Sequence, residues 1–228
     1  MLTLSLPSVA RATVQPPSTG PITSSNASVT VRLTSSGGHT ARPHLTGDLI
    51  HATAVLVTGL ASVLDRRLDA RTATVLTWGK VAAGHVGNSV PEYGELVGTL
   101  RSASHEAWTT LEGLVRSTVE QLLAPYDVRH EVDYHQGVPP VINTADCAAA
   151  LRAAIERTAG PDNLVEAEQS SGGEDFGWYL EHVPGAMARL GVWDGIGPMQ
   201  DLHQPTFNLD ERCLAHGVRT LVALAETA

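Results

Sequence analysis

Apolar and polar residues alternate over residues 28–34 (Ser28-Val29-Thr30-Val31-Arg32-Leu33-Thr34). That period of two is the mark of a half-buried strand, and Gly37-Gly38 end it. Over residues 45–64 the period lengthens: Leu49, Ala52, Val55, Leu56, Leu60, Val63 and Leu64 recur at helical spacing, which predicts a helix. Residues 72–81 are β-branched and strand-like, and residues 94–101 predict another strand. Residues 104–123 read as a helix, with Ser104 as N-cap and Pro125 just beyond the end. Residues 128–134 alternate again, through Val128, His130, Val132 and Tyr134. The order strand, helix, strand, strand, helix, strand is the split βαβ, ferredoxin-like pattern, a helical layer on one antiparallel sheet over about residues 28–136.

A second region follows Gly137-Val138-Pro139-Pro140 and runs to residue 228. Residues 146–159 are Ala-rich and helical, and a short strand is expected near 164–167. The Gly172-Gly173-Glu174-Asp175 turn leads to a short helix at 176–180, a strand at 186–192 and a closing helix at 208–225. Such β/α alternation reads as the edge of an α/β layered domain, too small to be that domain alone. Residues 1–27, rich in Ser, Thr and Pro, read as loosely ordered or as the remnant of an interrupted element.

Composition narrows the picture. The chain has 43% hydrophobic and 17% charged residues, so a buried core forms and global disorder does not. Aromatics are only 4%, which leaves the core to Ala, Val and Leu. A net charge of −9 argues against nucleic acid as a partner, since phosphate binding needs a basic face. Cys147 and Cys213 form no CxxC pair, and two reduced core thiols in a cytoplasmic protein are expected. No apolar run approaches the length of a membrane helix, so no membrane partner is expected. The start of the chain is a poor secretion signal. Asn26-Ala27-Ser28 fits a glycosylation sequon, but the cysteine usage suggests the wrong compartment.

Five segments could carry chemistry. In Gly37-Gly38-His39-Thr40-Ala41-Arg42-Pro43-His44, glycines free the backbone after a strand and place His39 at the corner before a helix. His39 could donate to a carboxylate or a developing oxyanion, or simply cap the helix. Asn88 lies in the Gly87-Asn88-Ser89-Val90-Pro91 turn, where ordinary turn chemistry is the plainer account. Arg101 ends a strand, either solvated or poised as a bidentate carboxylate clamp. In Ser171-Gly172-Gly173-Glu174-Asp175-Phe176, the carboxylates could do acid–base or metal work, or could cap the following helix, and Gly172 and Gly173 could let backbone approach a ligand. His203, in Asp201-Leu202-His203-Gln204-Pro205, could be a metal ligand or merely structural.

Taken in order, GGHTARPH, GNSVP with Arg101 thirteen residues after Asn88, GVPPVIN, GGEDF, VPGAMARLG and DLHQPTFNLDE resemble the aminoacylase/carboxypeptidase family of metallo-amidohydrolases. The nearest branch is similar to bacterial hippurate hydrolases and indole-acetyl-amino-acid hydrolases. The resemblance runs from about residue 20 to the C-terminus. It implies an α/β catalytic domain with a two-metal site of zinc or manganese, and an inserted ferredoxin-like lid that also forms a homodimer contact. It implies that His39 stabilises the oxyanion, often in the partner subunit's site. Asn88 and Arg101 match lid residues that grip a substrate carboxylate. Gly172, Gly173 and Glu174 match a loop near the site, and His203 matches the last metal ligand.

The resemblance also implies what is missing. The family's early motifs, with the remaining ligands and a general-base glutamate, precede the lid. Here about 27 residues precede it, and none is His, Cys, Asp or Glu. One histidine cannot hold two metals, because even a catalytic zinc usually takes three protein ligands. The expectation is the C-terminal part of an amidohydrolase for N-acyl amino acids or related small amides, inactive alone, either a truncated gene product or half of a split enzyme completed by a chain carrying the missing catalytic half. The alternatives are a dimerising module that binds a small carboxylate without chemistry, and a degenerate remnant.

Overall fold

A computed structural model describes residues 2–8, 12–13, 20–165, 168–198, 200 and 202–226. In chain order its first strands are β1 (Leu2–Ser8), β2 (Ala12–Thr13), β3 (Ser25–Thr34) and β4 (Gly38–His39), followed by helix α1 (Leu49–Arg67). Strands β5 (Val75–Ala83), β6 (Ser89–Val90) and β7 (Tyr93–Ser102) lead to α2 (His105–Leu123) and β8 (Arg129–Gln136). The remainder is α3 (Ala145–Ala159), β9 (Leu164–Val165), α4 (Phe176–Leu180), β10 (Ala188–Trp193) and α5 (Arg212–Ala225). These elements fall into two compact units, residues 24–140 with 171–174, and residues 1–23 with 141–170 and 175–228.

The first unit is a ferredoxin-like βαββαβ layer. Its main sheet has the order β5-β7-β3-β8, antiparallel throughout. The alternation of β3 buries Ala27, Val29, Val31 and Leu33, joined by Leu96 and Leu100 of β7. Helix α1 packs Leu49, Ala52, Leu56, Leu60 and Leu64 against them, and α2 packs Leu111, Val115, Val119 and Leu123. Each fully buried Leu or Val stabilises by about 1.5–3 kcal/mol before entropy is charged. The opposite face is polar: Arg32 lies 3.8 Å from Glu95, 3.9 Å from Glu131 and 3.9 Å from Asp133, and Lys80 also bonds Glu95.

Local chemistry moves several expected boundaries. Helix α1 starts at Leu49, not at residue 45, because Pro43–Leu45 turn as a 3-10 helix and Asp48 accepts a hydrogen bond from the His51 N–H at 3.1 Å. Ser104 does cap α2, accepting from the Ala107 N–H at 3.2 Å. β5 starts three residues later than expected, since Ala70–Thr72 form a 3-10 turn and Ala73 is left-handed at φ 46°. By length and composition α1 is apolar enough to cross a membrane, where no such run was expected. Its buried residues fall on one stripe against the sheet, as in the core helix of a globular layer.

The second unit has a sheet ordered β1-β10-β2-β9. β1 runs parallel to β10, from Leu2↔Ala188 to Ser8↔Trp193, and β2 is antiparallel to β10. So the segment 1–27, read as loosely ordered or as a remnant, supplies two strands here and the first three residues of β3 to the other unit. Leu2-Thr3-Leu4-Ser5-Leu6 alternates as a strand does, whereas the two-residue β2 is too short to show a period. Leu151, Ile155 and Ala188 form one small core, and Ile22, Val141, Phe176 and Met187 another. The strand expected at 164–167 is described only for Leu164–Val165; residues 166–167 lie outside the described residues. Helix α5 begins at Arg212 rather than 208, and Leu214, Val218, Leu221 and Val222 stand exposed along it.

Candidate functional site

His39 does not cap a helix. It pairs with Ser89 in the two-residue ribbon formed by β4 and β6, which was not visible as a pattern because two residues show no period. Gly37 and Gly38 make the approach, at φ 60° and 142°. A Cβ on Gly38 would stand 2.5 Å from Thr46 Cγ2, so the sequence has glycine where a side chain would collide. The Thr40 N–H donates to the Asn88 carbonyl at 3.2 Å, the Arg42 N–H to the His39 carbonyl at 2.9 Å, and the Ala41 N–H to His39 Nδ1 at 3.0 Å. His39 and Asn88 are therefore neighbours on one exposed tip. Beside them opens a cleft of about 580 Å³, lined in part by Thr40, Asp48, Ile50, His51, Val86 and Ser89.

Arg101 lies in the main sheet, near the end of β7 that is farther from that ribbon. It is half-buried near the end of β7, opposite Asn26 of β3 and Val75 of β5. Its guanidinium donates through Nη1 to the Ser171 carbonyl at 2.6 Å, which leaves further N–H groups of the fork for a ligand. Gly172 accepts from the Ser24 N–H at 3.2 Å, and a Cβ on Gly173 would stand 2.8 Å from Val138 Cγ2 and 3.0 Å from Asn26 Nδ2. Gly173 thus lets this loop lie against β3 and the residues after β8, and the Gly172 carbonyl ties it to Ser24. Glu174 is half-buried in the same loop, and Asp175 starts α4 without a side-chain capping bond.

The structure brings His39 to Asn88, and Arg101 to the Ser171–Glu174 loop, but does not bring the two pairs together. It also adds Asn26, which the sequence offered only as a sequon. Asn26 Oδ1 accepts from the Val138 N–H at 2.9 Å, and its backbone bonds both Gly137 and Val138. No sequence pattern marks such a clamp, because its partners are 111 and 112 residues away (137 − 26 and 138 − 26).

His203, in the second unit, is exposed and left-handed at φ 65°, a conformation that non-glycine residues adopt at a cost. Its neighbour Asp201 lies outside the described residues. The same unit has a polar cleft of about 440 Å³, lined in part by Asp194, Gln200, Asp210 and Arg212. The Arg212 guanidinium beside Asp210 holds that carboxyl below the usual carboxylate range. Burial pushes the Cys213 thiol up, which makes it an inert core group. Among the described residues, no group of three or more His, Cys, Asp or Glu side chains could hold a metal ion. His203 supplies one ligand at most, so these residues by themselves do not fit a two-metal site.

Residues 25–227 match peptidase family M20/M25/M40. The chain is 77% identical over 206 residues to a Rhodococcus jostii protein named for glutamate–cysteine ligase 2-3, covering 90% of this chain and 26% of that protein. It is 31% identical to an N-acetyldiaminopimelate deacetylase of Halalkalibacterium halodurans, covering 86% of this chain and 52% of the relative. The N-acetyl-L-cysteine deacetylase of Bacillus subtilis is 29% identical, with 86% and 46% covered. The chain thus spans about half the length of the deacetylases it matches. Among solved structures, an aminohydrolase from methicillin-resistant Staphylococcus aureus shares the fold at a TM-score of 0.85 and 24% identity, covering 97% of this chain and 57% of that one. The Bacillus subtilis YXEP protein, described as a dinuclear metal binding peptidase, matches at a TM-score of 0.72 and 27% identity, covering 93% and 52%. With nearly its whole length matched, the chain belongs to peptidase family M20/M25/M40, in a mixed α/β fold.

Proposed function

We propose that this chain supplies the substrate-gripping part of an amidohydrolase that cleaves the amide bond of N-acyl amino acids. The observation that carries the reading is the placement of His39 and Asn88 at the β4–β6 ribbon, before β7 begins, and of Arg101 near the far end of β7. An N-acyl amino acid carries a carbonyl oxygen that becomes anionic on hydrolysis and, a few bonds away, a carboxylate. His39 suits the first and Arg101 the second. One copy cannot bring both to so small a ligand. Two copies can, with His39 and Asn88 from one and Arg101 from the other, so a homodimer through this unit is part of the proposal. β5 is an edge strand with Val75 and Val81 exposed, which suits pairing with a second copy.

A bound metal pair would supply an activated water. The proposal assigns to this chain only His203 as a ligand, and assigns the other ligands and the general base to a region or chain beyond the described residues. The described residues alone are then not expected to hydrolyse amides. The deacetylase relatives support an acylated amino acid as the substrate class. The Rhodococcus relative favours a second reading within that class. The product of joining glutamate to cysteine is itself an N-acylated amino acid with a free carboxylate, and the same grip would accept it.

The test is to strip the purified chain, reload it with manganese or zinc, desalt, and count ions per chain. It is then assayed on N-acetylcysteine, N-acetyldiaminopimelate and γ-glutamylcysteine, alone and mixed with a chain carrying the first half of an M20 catalytic domain. The expected result is well under one ion per chain and no turnover alone, with turnover in the mixture. Tight binding of one or two ions with turnover by the chain alone would overturn the incomplete-site reading. Ligand binding without turnover in either arrangement, lost in Arg101→Ala, would mark a carboxylate-binding module instead.

A further inference from the structure

Two histidines of the first unit have their Nδ1 atoms engaged in opposite ways. His51 Nδ1 lies 2.8 Å from Asp48 Oδ2. A carboxylate oxygen can only accept, so Nδ1 of His51 carries the proton and Nε2 of the neutral ring is left with a lone pair. His39 Nδ1 instead accepts from the Ala41 N–H at 3.0 Å. A backbone amide can only donate, so Nδ1 of His39 holds a lone pair and the proton of the neutral ring sits on Nε2. Among the described residues, no carboxylate pairs with His39 to reverse this.

The local fold makes the bond hard to avoid. The Arg42 N–H closes a turn on the His39 carbonyl at 2.9 Å, and the Thr40 N–H ties the same turn to Asn88 at 3.2 Å. With both neighbours engaged, the Ala41 N–H is directed to Nδ1 of the imidazole two positions before it.

We infer that the backbone N–H of Ala41 is a positioning group that fixes His39 as the Nε2–H tautomer, so that the ring meets its ligand as a hydrogen-bond donor. The identity of that ligand, an amide oxygen that becomes anionic, rests on the function proposed above; the tautomer does not. A donor fixed beforehand needs no reorganisation as charge develops on the oxygen, whereas the other tautomer would meet it with a lone pair. His51, with its tautomer reversed, is excluded from the same task and serves as an internal control.

The experiment is a long-range proton–nitrogen correlation spectrum of the ¹⁵N-labelled chain, above the pH at which the imidazoles are protonated. His39→Gln and His51→Gln spectra assign the rings. The expected spectrum has pyridine-like Nδ1 and pyrrole-like Nε2 in His39, and the reverse in His51. Ala41→Gly, which keeps the N–H, should leave the His39 pattern intact, while Ala41→Pro should move it to the averaged shifts of a free imidazole. Should the proline disturb the turn, the Ala41 amide proton of the unaltered chain provides a second readout, expected to shift as His39 is protonated. A pyrrole-like Nδ1 in His39, averaged shifts in the unaltered chain, or an Ala41 amide indifferent to that protonation would overturn the inference. The expected spectrum from a chain that binds no N-acyl amino acid would uphold the tautomer and sink the substrate reading.

Discussion

His39 and Arg101 stand on two different sheets: His39 beside Ser89 in the β4–β6 ribbon, just before β7 begins, and Arg101 opposite Asn26 in the main sheet, just before β7 ends. The strand between Tyr93 and Arg101 spans roughly 25 Å at about 3.3 Å per residue. On the proposed reading, a ligand that needs both is shared between copies. His39→Ala and Arg101→Ala chains should each bind N-acetyl amino acids at least about tenfold more weakly than the parent. Mixed in equal amounts and allowed to exchange, they should recover roughly a quarter of the parent's sites, since half the dimers hold one intact site of two. Equilibrium dialysis reads the recovery. No recovery, with a clean monomer in sedimentation at tens of micromolar, would rule the shared site out.

Arg101 should not tolerate lysine. Its Nη1 is engaged by the Ser171 carbonyl, so a carboxylate must take the other N–H groups of the fork. A lysine ammonium has no second planar pair to offer. Arg101→Lys is expected to cost about 1.5–3 kcal/mol in binding an N-acetyl amino acid. It should cost little for the corresponding carboxamide. Calorimetric titration with the two ligands separates these cases; equal losses for both would mean that Arg101 holds the loop rather than the ligand.

The ferredoxin-like layer was legible because its periods are strong. The alternation around Val29, Val31 and Leu33 and the helical stripe of Leu49, Leu56 and Leu60 both point to one buried face, and all six residues are fully buried. Ser104 carried its cap in its own chemistry. The two-residue ribbon holding His39 was not legible, because register between distant segments leaves no local trace. Nor was the partner of β1, whose residues alternate but whose pairing with β10 joins positions 186 apart (188 − 2). Asn26 shows the same limit at one side chain, since a sequon and a clamp have the same letters. The motif order did reveal the family, but not that His39 sits in a separate ribbon and Arg101 near the far end of β7.

The Asn26 clamp should be measurable as stability. Its Oδ1 satisfies the Val138 N–H, and a Cβ on Gly137 would stand 1.8 Å from that oxygen. Asn26→Ala should cost about 1–2 kcal/mol, the usual penalty for leaving a partly buried donor unmet. Asn26→Asp keeps the acceptor and should cost clearly less. Gly137→Ala has no room and is expected to lose about 2–3 kcal/mol. Urea unfolding of the three variants orders them. An alanine at 137 as stable as glycine would show that the clamp yields, and would remove the reason for glycine there.

Tyr134 gives the first unit a pH dependence on the alkaline side. It is buried, opposite Val29, and its hydroxyl has no hydrogen-bond partner among the described residues. Desolvation, with a smaller contribution from Glu112, pushes the phenol up to about 12 from an ordinary 10.0. The folded state then keeps its proton over a range where the unfolded chain loses it. Between pH 10 and 12 the unfolded state binds fewer protons, so the slope of unfolding free energy with pH is negative. The contribution is fully present below pH 10 and is lost as pH rises through the folded value. Its size is on the order of 2 kcal/mol by linkage between the two values. Tyr134→Phe removes the titrating group along with an unpaired buried hydroxyl. The variant should therefore be at least as stable as the parent at neutral pH, and should show a flatter decline in denaturant midpoint on going from pH 9.5 to 11.5. A parallel decline in both proteins would mean that other groups carry the alkaline loss and that the phenol is solvated.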